Sequence, residues 1–167
     1  MGEKETDGTT PILTLKDDHQ KSIFANVVPR KGVDEFTVKQ ILEDIDMTGI
    51  TDCIFKTDSE TPIVAVQKEI KSSRSHKTIF ENSFKGHSQS NGFIENANRF
   101  LAGQIRTLRS ALQRNLQRTI DRNHIIITWL VRYAATLITV YHVGKDGKTA
   151  LQRRKAVSYT HLRAHET

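Results

Sequence analysis

Two acidic residues stand where a fold could bring them together. Asp58 follows directly on the β-rich run Thr51 to Lys56 (TDCIFK), and Glu95 lies one turn into a segment of helical periodicity, with thirty-six residues between them. An α/β sheet presents ligand-binding side chains at the carboxyl ends of its strands. Carboxylates converging from a strand end and a helix can hold divalent cations about 4 Å apart, and such cations stabilise the attacking and leaving oxygens of an in-line phosphodiester displacement. At about 100° per residue, Arg99, Arg106, Arg109 and Gln113 fall within about 40° of Glu95, whereas the apolar residues cluster between about 200° and 300°. Arginines on that stripe would track a nucleic-acid backbone. Each acid also has a plainer reading. Asp58 can be a turn residue or the N-cap of the next helix, and Glu95 a favourable first-turn acid with an i, i+4 partner in Arg99.

The elements that must position these groups alternate between strand and helix. Pro11 to Leu15 (PILTL) and Ser22 to Val28 (SIFANVV) are β-rich and separated by the turn-like Lys16 to Lys21, which predicts a hairpin. Val33 to Met47 carries Phe36, Val38, Ile41, Leu42 and Ile45 at near-helical spacing and is closed by Gly49. After the Asp58 strand, Thr61 and Pro62 open a helix with Ile63, Val66 and Ile70 on one face. Thr78 to Glu81 suits a short edge strand, and Asn82 to Asn91 (NSFKGHSQSN) reads as loop. Ile94, Ala97, Leu101, Ile105, Leu108, Leu112 and Leu116 then step by threes and fours, one buried helical stripe. A break at Asp121 to Asn123 precedes a second apolar helix, Ile125 to Tyr141, and a turn at Gly144 to Gly147 leads to a basic end. The pattern is that of an α/β layer fold.

Composition narrows the function classes. The 167 residues, 37% apolar and 26% charged, suit one globular domain. The longest apolar run is interrupted by Arg132 and falls short of the roughly 18 to 20 uncharged residues of a bilayer span. The first ten residues lack the basic start and apolar stretch of a secretory signal, so an intracellular setting is expected. Cys53 is the only cysteine, which excludes a disulfide framework or a cysteine-based zinc site, and His19, His76, His87, His124 and His142 lack ligand spacing. The net charge of +6 concentrates after residue 98 in Arg99, Arg106, Arg109, Arg114, Arg118 and Arg122, the footprint expected of a polyanion binder.

The residues around the two acids carry a resemblance. Lys56-Thr57-Asp58, the run Glu81 to Asn96 (ENSFKGHSQSNGFIEN) and the spacing between them resemble the second and third acids of the retroviral and retrotransposon integrase core, whose signature is two aspartates followed by a glutamate at about this separation. Pro11 to Pro29 resembles the first hairpin of that core, and Trp129 to Ala135 (WLVRYAA) the helix after the catalytic one, so the likeness runs from about Thr10 to Lys155. It implies a ribonuclease H-like mixed sheet flanked by helices and a polynucleotidyl transferase of DNA integration. By the same resemblance Asp58 and Glu95 would coordinate magnesium or manganese and Gly86 would let the active-site loop flex. Gln89, Asn91, Asn98 and Arg99 would lie near DNA, joined by Arg106 and Arg109 of the stripe. Asn91-Gly92 also reads as turn chemistry that starts the helix.

The family pattern includes a third carboxylate, on a strand before the hairpin. Among Met1 to Thr10 only Glu3, Glu5 and Asp7 are acidic, and none lies in a β-rich run. The expectation is therefore an incomplete fold that starts past its first strand and first catalytic Asp, and a chain that is inactive alone. Asp17 and Asp18 read as turn residues rather than substitutes. A sheet deprived of a strand would expose unpaired backbone on the neighbour. Residues 1–10 form a polar remnant, 11–155 the partial core, and 156–167 a disordered tail that resembles a translated adaptor sequence. Partners are DNA and, through the core helices, a second copy, and the setting would be nuclear if the chain acts as an integrase. The reading from another class is a non-catalytic basic helical module that binds nucleic acid or protein.

Overall fold

The computed structural model describes residues 10–57, 60–82 and 88–163, and of 88–91 and 157–163 the backbone alone. Strands β1 (Ile12–Lys16) and β2 (Ile23–Val27) form the expected antiparallel hairpin, with Leu13 opposite Asn26 and Leu15 opposite Phe24. Its turn is built by Asp17, whose carboxylate accepts from the backbone N–H of His19 and Gln20, while Lys21 takes a positive φ of 65°. Asp18 pairs with Lys21 at 2.6 Å. Both aspartates thus serve the turn.

Helix α1 (Glu35–Thr48) starts at Asp34, whose side chain accepts from Phe36 N and Thr37 N, and stops at Gly49 in the left-handed region at φ 74°, where glycine carries no steric penalty. Strand β3 (Cys53–Thr57) leads through Asp58 to α2 (Thr61–Ser73), and β4 (Thr78–Asn82) pairs with β3 in parallel, Phe55 opposite Phe80. Helix α3 (Ser88–Leu116) is longer than its apolar stripe. Residues 88–91, read from composition as loop, are helical: once the stripe from Ile94 onward is anchored, each added residue gains a backbone bond without a new nucleus. Helix α4 (Ile126–Tyr141) comes next. Helix α5 (Ala150–Arg163) continues past residue 155, where the resemblance ends.

Two apolar clusters hold these elements. Ile23 and Ala25 of β2 meet Ala97 and Leu101 of α3 and Val131, Ala134 and Ala135 of α4 on one side of the hairpin. The alanines permit close approach of the two helices. On the other side Ile41, Ile45, Val66 and Ile70 of α1 and α2 are packed by Leu13, Leu15, Phe55 and Phe80. Strand directions are mixed, as expected, yet among the described residues the strands form two separate two-stranded sheets.

Polar groups stitch the layers. Buried Asn26 donates to Asp44 Oδ2 of α1 at 2.7 Å, and Gln20 Nε2 donates to Thr48 O. Arg153 binds both carboxylate oxygens of Asp146 through Nε and Nη2, donates through Nη1 to Gln20 O, and helps hold the Asp146 carboxyl down to about 2. Thr139 Oγ1 accepts from Ile23 N and donates to Ile23 O, both at 3.0 Å, across 116 positions of sequence. A Thr139→Val replacement keeps the shape but orphans two buried backbone groups, and should cost about 1–3 kcal/mol. Urea denaturation checks this, and a cost under about 0.5 kcal/mol would mean that water reaches Ile23.

Candidate metal and nucleic-acid site

The strand end that precedes Asp58 is fixed from the side by a polar triad. Gln67, buried on α2, donates through Nε2 to Asn82 Oδ1 at 2.6 Å and also to Thr57 Oγ1, and the Thr57 hydroxyl reaches Asn82 Oδ1 at 3.3 Å. This ties the C-terminal ends of β3 and β4 to each other and to α2. Asp58 itself lies outside the described residues, as does Gly86. The triad went unforeseen. Its one sequence signal is a glutamine between Val66 and Ile70 on the apolar face of α2, a position that asks for a buried partner.

Glu95 is exposed on the N-terminal part of α3. Exposed Asn98, Arg99 and Arg106 accompany it, and Arg99 donates to Asn96 Oδ1 at 2.8 Å. Gln89 and Asn91 lie on the α3 backbone, in the stretch described by backbone alone. Arg109 is employed differently from the rest of the stripe. It is half-buried, and its Nε donates at 3.1 Å to the carbonyl of Ile120, joined by Nη2, while Gln113 Oε1 accepts from Ile120 N. Arg109 therefore secures the α3–α4 connection. The helical projection placed Arg109 on the stripe correctly but could not see that the chain after Leu116 folds back within its reach.

Strand β1 meets the same end of α3. The Lys16 ammonium lies 3.8 Å from the centre of the Phe93 ring and donates to Phe93 O at 3.5 Å. Burial, and then the nearby charge of Lys21, push its pKa below the ordinary lysine value. A hairpin end, two cations and the Glu95 turn thus adjoin one another. Among the described residues, no three His, Cys, Asp or Glu side chains gather as a metal site. A carboxylate pair of hard oxygen donors fits magnesium, which takes one or two protein carboxylates and fills its octahedron with water and phosphate oxygens.

The same arrangement of elements occurs in solved structures. The BIV integrase catalytic core superposes with a TM-score of 0.64 at 17% identity, over 92% of this chain and 90% of that one. The fold is that of a retroviral integrase catalytic core. A chain of the simian T-cell lymphotropic virus intasome, solved with the PP2A regulatory subunit B56 gamma, gives 0.66 at 16% identity over 89% of this chain and 49% of its own. The HTLV-2 integrase catalytic core, solved with magnesium in a trimeric form, gives 0.58 at 11% identity over 87% and 93%. No family model matches the sequence, and no curated protein matches it. The integrase-core fold is thus carried by shape at low identity. Among the described residues, no helix is long and apolar enough to cross a membrane.

Proposed function

We propose that the chain is a retroelement integrase core that binds DNA along the exposed face of α3 and holds magnesium or manganese between Asp58 and Glu95. The support is one conjunction. An integrase-core fold carries Glu95 exposed beside the exposed Arg99 and Arg106, on a helix that comes after the Asp58 strand. Arg99 and Arg106 neutralise phosphates and set the register of the duplex without reading its sequence. The Gln67, Thr57 and Asn82 triad holds the C-terminal end of β3, the strand that Asp58 follows in the sequence. A bound magnesium ion would supply charge neutralisation at the phosphate and lower the pKa of an attacking hydroxyl. Work on chromosomal DNA would place the protein in the nucleus. Exposed Trp129 and Tyr133, stacked with ring centres 4.6 Å apart on α4, suit contact with a second copy.

The arginine stripe also fits a basic module with no metal chemistry, and one titration separates the two. Affinity for a short duplex is measured by fluorescence anisotropy in manganese and in EDTA. The metal reading expects tighter binding in manganese, a gain lost in Asp58→Asn and in Glu95→Gln, and a weaker salt dependence in Arg99→Ala and Arg106→Ala. Identical affinities in manganese and EDTA for all proteins would leave only the basic module.

A further inference from the structure

The loop after β2 is folded onto the helix that follows β3. A Cβ added at Gly32 would stand 3.3 Å from Cβ and 3.9 Å from Cα of Pro62, the second residue of α2. Gly32 also takes a φ of 109°, which residues with a side chain rarely adopt. Glycine thus lets Pro29 to Val33 lie against the start of α2, and a larger residue would lift the loop away. Gln67 of the same helix grips the C-terminal ends of β3 and β4. In open α/β sheets ligands bind in the crevice outside the carboxyl ends of the strands, the region where a loop leaving β2 and a helix entered from β3 meet. Strand β2 also relates the loop to α3, since Val27, two residues before Pro29, and Ile94, beside Glu95, pack on one buried cluster.

Two cations ride on this loop. Arg30 and Lys31 are both exposed. Among the described residues neither forms an ion pair, and the Lys31 side chain donates no hydrogen bond. Arg30 Nη2 donates to Val33 O at 3.1 Å, which closes the turn around Gly32 and leaves the other edge of the guanidinium to outside acceptors. Of the acids close by in the chain, Asp34 is engaged as the N-cap of α1, and Glu35 and Glu60 are exposed. The loop is held at both ends as well as at Gly32. Val28 before it is buried and donates its N–H to Pro11 O, and Asp34 after it fixes the start of α1. A solvated basic turn needs no such anchoring, whereas a turn that must present two charges at a set place does.

We propose that Arg30 and Lys31 bind backbone phosphates of the DNA that α3 engages, so that the duplex is held by the β2–α1 loop as well as by Arg99 and Arg106. The inference rests on the DNA reading of α3 given above and adds a second binding element to that site. A planar guanidinium and a compact ammonium on adjacent residues suit neighbouring phosphates of one strand. Contacts of this kind set the register of the duplex and carry no base preference. Gly32 is a positioning residue. It touches no DNA and acts by letting the loop rest on Pro62, so the ordering of the two cations' backbone is completed in folding and not charged to binding.

The test follows the affinity of the whole chain for a short duplex in manganese as salt is raised. Replacing both residues, Arg30→Ala with Lys31→Ala, should lower the slope of log affinity against log salt by about 2 and weaken binding on the order of tenfold or more at low salt. Two duplexes of unrelated sequence should lose affinity alike. Lys68→Ala with Lys71→Ala removes the same charge from exposed positions farther along α2 and should leave the slope within about 0.5 of wild type. Gly32→Val keeps every charge and should still lower the slope; circular dichroism checks that it folds, and if it does not, the two double variants decide alone. Suppose Arg99→Ala and Arg106→Ala lower the slope while the Arg30, Lys31 variant matches wild type, or falls no further than the Lys68, Lys71 variant. This proposal then fails and the α3 reading stands. A folded Gly32→Val with the wild-type slope would overturn the positioning role. No binding by the wild-type chain, or no effect of Arg99 and Arg106 either, would overturn both.

Discussion

Asp44→Asn is expected to stabilise the protein at neutral and alkaline pH by up to about 3 kcal/mol and to leave it unchanged near pH 4. Asp44 is 3% exposed, and burial pushes its carboxyl from 3.8 up to about 6, against the pull of the Arg132 charge and the hydrogen bond from Asn26. Proton binding sets the sign. Between the two values the folded state holds a proton that the unfolded chain releases, so stability is highest below pH 3.8 and is lost as pH rises through about 6. Asparagine removes the charge and retains an oxygen for Asn26. Thermal melts at pH 4.5 and 8 provide the measurement, with a shift of about 2–4 °C per kcal/mol for a domain of this size. Destabilisation by Asp44→Asn at pH 8 would mean that the Arg132 pairing outweighs burial.

Ile70→Ala should cost about 2–5 kcal/mol, toward the upper end of that range. Ile70 is fully buried and lies where α2 meets the side chains of both sheets. In a continuous sheet, ladder bonds would share the task of holding β3 and β4 to the hairpin. Among the described residues no ladder joins them and the apolar cluster does it, so a cavity at Ile70 loosens the junction itself. Phe55 and Phe80, with ring centres 5.7 Å apart, would lose their floor together. Chemical denaturation gives the size, and amide exchange should show β3 and β4 opening before the α3–α4 pair. A loss under about 1 kcal/mol, or uniform loosening of all helices, would contradict this view of the core.

Much of the fold was legible because its periodicities are local. The steps from Ile94 to Leu116 yielded α3, and Gly49 marked the end of α1. The β-rich runs Pro11 to Leu15 and Ser22 to Val28 on either side of a polar turn yielded the hairpin of β1 and β2. The polar lead of α3 was not legible, since Ser88 to Asn91 carry no periodicity and are helical only because the anchored stripe from Ile94 onward extends into them. Nor were the roles of Gln67, Thr139 and Arg109, whose partners lie 10 to 116 positions away.

The candidate site divides in the same way. Residue order alone fixed that an acid comes after the third strand and that another shares a helix face with arginines, because strand ends and helix faces are set by neighbours within a few positions. Tertiary structure alone decided that Arg109 is drawn from that face to a backbone carbonyl and that a triad grips the strand end before Asp58. Those outcomes depend on which groups meet across long separations, where the distances between hydrogen-bonding atoms matter and the spacing of residues along the chain carries no information.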